Sequence, residues 1–220
     1  MVDLIRGLRV AEVRDNLERV RDRIAAAGRD PADVQILAAV KYLPVDELQT
    51  LAAAGLTLVG ENRAQELVAK SLARPGLFTW DFIGELQSRK VASLLPHVRY
   101  IHSVASDSAL GQLQRHATPE TRVLVEVNVA GDPNKAGIAA ERLPEFLARC
   151  PVPVVGLMTM PPLTEDAQDN RRHFAALREL ADRHGLRELS MGTSQDFEAA
   201  VREGATIIRL GTVLYQRSTA

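Results

Sequence analysis

Val10, Val13, Leu17, Val20 and Ile24 recur at spacings of three and four residues, which lays one apolar stripe along a helix that should end near Gly28. Beyond it the pattern changes to short apolar runs that alternate with amphipathic stretches. Strands are predicted at residues 34–40, 57–59, 78–83, 98–101, 122–127, 154–157, 186–189 and 206–210. Helices are predicted between them at 46–54, 64–73, 88–94, 106–116, 140–148, 165–184 and 195–203. Gly55, Gly60, Gly84, Gly185, Gly204 and Gly211 punctuate the runs. Repeated strand–helix units of this kind build a parallel sheet. Eight strands, seven intervening helices and a short helical tail predict an α/β fold over 1–220, a single (β/α)8 TIM-type barrel with an extra N-terminal helix. An open doubly wound sheet is the competing architecture, but no Gly-x-Gly-x-x-Gly follows the first strand.

Composition narrows the function classes. With 46% hydrophobic and 25% charged residues, the 220-residue chain has the make-up of a soluble globular protein. A net charge of −1 without a basic block leaves no footprint for nucleic acid or an anionic membrane. No apolar run reaches the roughly 18 residues of a membrane span, and Asp3, Arg6 and Arg9 interrupt any signal-peptide pattern. Cys150, the single cysteine, cannot form an internal disulfide and reads as an apolar residue. The five histidines lack metal-ligand spacing, so no metal site is expected. A cytoplasmic protein is the expectation.

Candidate chemistry gathers at the strand ends. Lys41 directly follows the apolar run 34–40, and it is one of four lysines against twenty-three arginines. An amine desolvated at the mouth of a core strand is disfavoured as a cation, and a neutral amine can attack an aldehyde to form a Schiff base. A lysine snorkelling from the sheet edge to solvent fits the position equally well. In a barrel the site lies at the carboxyl ends of the strands. Those ends carry Asn62, Gly84, His102-Ser103, Asn128, Met158-Thr159-Met160, Ser190-Met191-Gly192-Thr193-Ser194 and Arg209-Leu210-Gly211-Thr212. The small residues after strands seven and eight suit a phosphate, although Thr193 or Ser194 could instead be a plain helix cap. Arg209, inside an apolar run, must pair with something or face a polar cavity, and Glu61 and Glu85 are candidate partners. Asn62-x-x-Gln65 also reads as a capping box. Trp80, Phe78 and Phe82 alternate along strand three and read as core.

An amine at strand one with a phosphate site at strands seven and eight is an arrangement that holds pyridoxal 5'-phosphate. The chain resembles the pyridoxal-phosphate homeostasis protein family, whose barrel is that of the alanine racemase amino-terminal domain. The matching stretches are Ala39-Val40-Lys41, Gly60-Glu61-Asn62-x-x-Gln65-Glu66, Trp80-x-Phe82-Ile83-Gly84-x-Leu86-Gln87-x-x-Lys90, His102-Ser103-Val104, Gly156-Leu157-Met158, Leu189-Ser190-Met191-Gly192-x-Ser194-x-Asp196 and Arg209-Leu210-Gly211-Thr212. They run in order from strand one to strand eight. The resemblance implies a cofactor-binding set of Lys41, Asn62, Ser194, Arg209, Gly211 and Thr212. Lys41 would bind the cofactor aldehyde, Ser194, Gly211 and Thr212 its phosphate, Arg209 its pyridine nitrogen, and Asn62 would lie near the ring. An arginine does not give up its proton, so the pyridine stays unprotonated and is a weak electron sink. Two departures from the family stand out: Asp81, where relatives often carry His, and Tyr215-Gln216 in place of a Phe-Gly ending. The second is expected to touch only the tail.

The implied function is intracellular carriage or homeostasis of pyridoxal phosphate with little or no turnover and no catalytic residues. Apo-enzymes that use the cofactor are the expected protein partners, and a monomer is expected. An amino-acid racemase is the first alternative; it needs a second base facing the lysine, for which Tyr42, Tyr100 and Tyr215 are available. That family also carries a second, β-rich domain, which is not expected here. A Schiff-base aldolase on a phosphorylated sugar is the second alternative, with no clear use for Arg209. Lys135, in the loop after strand five, is either a surface lysine or a second, transient acceptor of the cofactor.

Overall fold

The computed structural model describes residues 4–216. Eight parallel strands close into a barrel in sequence order: β1 (Gln35–Ala39), β2 (Leu58–Glu61), β3 (Thr79–Phe82), β4 (Tyr100–Val104), β5 (Arg122–Glu126), β6 (Val154–Met158), β7 (Glu188–Thr193) and β8 (Ile207–Leu210). The last strand pairs with the first, Leu37 opposite Arg209. Helices α1 (Val10–Ala26), α2 (Leu48–Ala53), α3 (Ala64–Ala73), α4 (Val91–Leu94), α5 (Asp107–His116), α6 (Leu143–Arg149), α7 (Arg171–Arg183), α8 (Phe197–Arg202) and α9 (Thr212–Tyr215) surround it. The predicted barrel, its order and its extra N-terminal helix are therefore all present.

Strand alternation sorts the side chains into two layers. Outward residues such as Val59, Trp80, Phe82, Leu157, Met191 and Ile208 join the main apolar core beneath the helices. Inside the barrel a small apolar plug of Leu37, Leu58 and Ile207 packs with Ile83 and Tyr100. Asp81, His102, Ser190 and Arg209 place polar side chains in the buried interior near it. Trp80 and Phe82 are core as expected, and Phe78 meets Trp80 edge-on at 6.1 Å.

Strand β7 differs from its prediction. It runs on to Thr193, so Ser190 and Met191 belong to the strand rather than to a loop. The extension is possible because Gly192 takes φ +88, where pairing with β8 shifts register. A Cβ there would also meet Ala200 at 2.6 Å.

One buried ion pair fixes the ends of β1 and β2. Lys70 on α3 donates to Glu61 Oε1 at 2.6 Å and to the Val40 carbonyl at 2.9 Å. The other Glu61 oxygen accepts the backbone N–H groups of Asn62 and Arg63. Both side chains are out of water, so removing one leaves the other charge stranded. Lys70→Met should lower stability by about 3–5 kcal/mol, read from urea unfolding midpoints at constant slope. A loss below about 1 kcal/mol, the level of a surface pair, would contradict this account.

Candidate functional site

All six residues singled out from the sequence line one cavity of about 410 Å³ at the carboxyl end of the barrel: Lys41, Asn62, Ser194, Arg209, Gly211 and Thr212. Ile5, Tyr42, Ile83, Met160 and Tyr215 are also part of its wall. A second cavity of about 320 Å³ adjoins it and shares Met160, Thr193, Gln195 and Arg209.

Lys41 departs from expectation in its surroundings. Strand β1 stops at Ala39, and a turn closed by Leu43 N–H donating to the Val40 carbonyl carries Lys41 outward. The residue is exposed, with Nζ 4.9 Å from the Tyr42 ring centre, so the amine is not desolvated by the strand. Asn62 is also exposed, and no Asn62–Gln65 capping box forms. The Glu61 carboxylate takes the N–H groups that such a box would serve. Gly84 lets the next strand end approach: a Cβ there would lie 2.0 Å from the Asn62 carbonyl.

Ser194 is not a cap for α8, whose first turn starts at Asp196. Its Oγ instead accepts from Gly211 N–H at 3.1 Å and Val213 N–H at 3.5 Å. The Ser194 hydroxyl and the N–H groups of Gly211 and Val213 thus converge beside Thr212, a cluster of donors that suits a phosphate. Thr193 turns to Asp196, giving it both its backbone N–H and its hydroxyl.

Arg209 is buried at 5% exposure and pairs with neither Glu61 nor Glu85. Its guanidinium donates to Ser190 Oγ at 2.6 Å, the Thr159 carbonyl at 2.9 Å and Met160 Sδ at 2.8 Å. Loss of water pushes its pKa down to about 10, opposed by the charges of Glu126 and Asp196. A guanidinium has five N–H donors, so two remain for whatever fills the cavity.

Three features went unread in the sequence. Tyr215 is part of the site rather than the tail: it is buried in α9, donates to the Ala39 carbonyl, and burial pushes its phenol pKa up. Ile5 reaches the cavity because its N–H donates to the Tyr42 carbonyl. Asp81, whose inward direction followed from Trp80 and Phe82 facing out, lies under the site in contact with Arg99 and His102. Lys135 is half-buried in its loop and does not line the cavity. Among the described residues no cluster could hold a metal ion, and no helix is long and apolar enough to cross a membrane.

The closed barrel with its adjoining cavities at the strand ends has the (β/α)8 fold seen in alanine racemase-like structures. An alanine racemase from Clostridium difficile superposes with a TM-score of 0.71 at 12% identity, covering 97% of this chain and 58% of that one. PipY from Synechococcus elongatus, solved with PLP bound, superposes with a TM-score of 0.77 at 32% identity over 93% of this chain and all of that one. No protein-family model matches the chain. A pyridoxal phosphate homeostasis protein from Aquifex aeolicus is 40% identical over 213 residues, 90% of this chain and 93% of the relative. The chain belongs to the pyridoxal phosphate homeostasis protein family.

Glu126 gives the fold a pH-dependent stability. It is buried at the end of β5, and its side-chain carboxyl has no hydrogen-bond or ion-pair partner among the described residues. Burial pushes its pKa up to about 7, with Arg209 pulling down and Glu85 pushing up. The folded chain therefore holds this proton over a range where the unfolded chain has lost it, and stability falls as pH rises from about 4.5 to about 7. Glu126→Gln should melt close to the parent at about pH 4 and be more stable by about 2–3 kcal/mol at pH 8. Parallel stability–pH curves for the two proteins would refute the assignment.

Proposed function

We propose that this chain is a cytoplasmic pyridoxal 5'-phosphate carrier that holds the cofactor through Lys41 with little or no turnover. The observation that supports it most is the convergence of an amine, a phosphate-type donor set and a carboxylate-free arginine on one cavity. When bound, the cofactor supplies an electrophilic aldehyde carbon conjugated to an electron-withdrawing ring. Lys41 is the amine for that carbon, while Ser194, Gly211 and Thr212 are the phosphate ligands. Arg209 is the donor to the ring nitrogen, and Asn62 flanks the ring.

The low-turnover reading draws on two groups. Arg209 keeps its proton, which leaves the ring nitrogen a lone pair and limits carbanion stabilisation. Tyr215 commits its hydroxyl to the Ala39 carbonyl, and Tyr100 lies in the plug below, so neither is placed as a free base opposite Lys41. Release to apo-enzymes that use the cofactor is the matching role, and exposure of Lys41 at the cavity mouth favours it.

Incubated with pyridoxal phosphate, the parent should gain near-visible absorbance, and borohydride followed by peptide mass analysis should place the pyridoxyl group on Lys41. Lys41→Ala should lose that signal with an unchanged melting temperature, because the side chain is exposed. Trapping mainly on Lys90 or Lys135 would overturn the assignment.

A further inference from the structure

Below the cavity a line of buried side chains crosses the barrel lumen. Arg99 grips Asp81 with Nε at 3.0 Å and a terminal nitrogen at 2.5 Å, and also reaches Gln35 Oε1. Asp81 Oδ2 lies 3.0 Å from His102 Nε2, and His102 Nδ1 lies 2.8 Å from Ser190 Oγ. Ser190 Oγ in turn receives Arg209. Asp81, His102 and Ser190 have no exposed surface. We propose that Asp81, His102 and Ser190 are positioning residues, a relay of fixed polarity that orients Arg209 toward the cavity.

The polarity follows from donor counting. Arg209 can only donate, so Ser190 Oγ accepts from it and is left with one proton to give. The acceptor within reach is His102 Nδ1; a protonated Nδ1 would leave the buried hydroxyl proton without a partner, which favours a bare Nδ1. Asp81 can only accept while ionised, so His102 Nε2 bears the hydrogen. The imidazole is thereby neutral, in one tautomer, between two cations that it keeps apart. Burial and the charges of Arg209 and Arg99 push its pKa down, while Asp81 pushes the other way. Against the upward push of burial, His102 and then Arg99 hold the Asp81 carboxyl below its usual range, and the Arg99 guanidinium lies 4.2 Å from the Tyr100 ring centre. Ser190 fixes one terminal nitrogen of Arg209, and Thr159 and Met160 fix the other, which directs the two remaining N–H groups elsewhere.

The test has two arms. Nitrogen NMR of the parent without added cofactor, with His102→Gln to assign the signal, should show one protonated and one bare ring nitrogen. Any protonation of the ring should come only at a pH below that of an ordinary imidazole. A doubly protonated ring at neutral pH, or the opposite tautomer, would overturn the relay. In the second arm, which rests on the cofactor reading, Ser190→Ala should shift the absorption maximum of bound pyridoxal phosphate and weaken its uptake roughly tenfold. Ser190→Thr, which keeps the hydroxyl, should restore both. An unchanged spectrum and uptake in a folded Ser190→Ala chain would refute the link to Arg209. A colourless parent overturns the cofactor reading instead, and the relay then stands or falls on the imidazole signals.

Discussion

A guanidinium kept out of water without a carboxylate at bonding distance is the constraint around which the upper barrel is built. Burying an unpaired charge costs several kcal/mol unless neutral dipoles replace its hydration. Arg209 gets those dipoles from two neighbouring strands, from Ser190 on β7 and from Thr159 and Met160 just past the end of β6. Each partner must sit at a set height in the barrel, so the register shift at Gly192 that carries β7 upward is part of the same solution. A carboxylate in place of these groups would neutralise the cation within the cavity wall. The neutral cradle leaves the positive charge available to the cavity.

Much of this architecture was legible because a barrel repeats one local pattern eight times. Each strand–helix unit announces itself within some 25 residues, and the strand order follows from right-handed crossovers without any long-range information. The six cavity residues were legible for a related reason: they stand at strand ends, where the fold concentrates function. Boundaries held less well. At β7 the alternation Leu189, Met191 continues past Ser190, but small polar residues looked like a loop, and only pairing with β8 turns them into strand.

What stayed hidden depended on contacts between distant segments. Lys41 was expected to be stripped of water by its strand, yet the strand stops two residues earlier. Glu61 and Asn62 were assigned to Arg209 and to a cap, and the buried amine of Lys70 redirected Glu61 to the α3 start. The lumen chain from Asp81 to Ser190 joins residues 21 and 88 positions apart, a proximity no local window contains. Alternation did hold one clue, since Trp80 and Phe82 facing the helices force Asp81 to face inward.

The extra N-terminal helix follows the same logic of closure. Asn16 on α1 is buried and donates to the carbonyls of Leu214 and Gln216, which end α9. Glu47, ahead of α2, accepts from the N–H groups of Gly7 and Leu8, and Ile5 bonds to Tyr42. Segments from both ends of the barrel sequence are thereby tied to the same cavity wall, with Ile5 and Tyr215 both lining it. A short helix such as α9 has little stability of its own. Its position beside Gly211 and Thr212, and so the placement of the phosphate-type donors, depends on the hydrogen bonds that α1 supplies from outside the barrel.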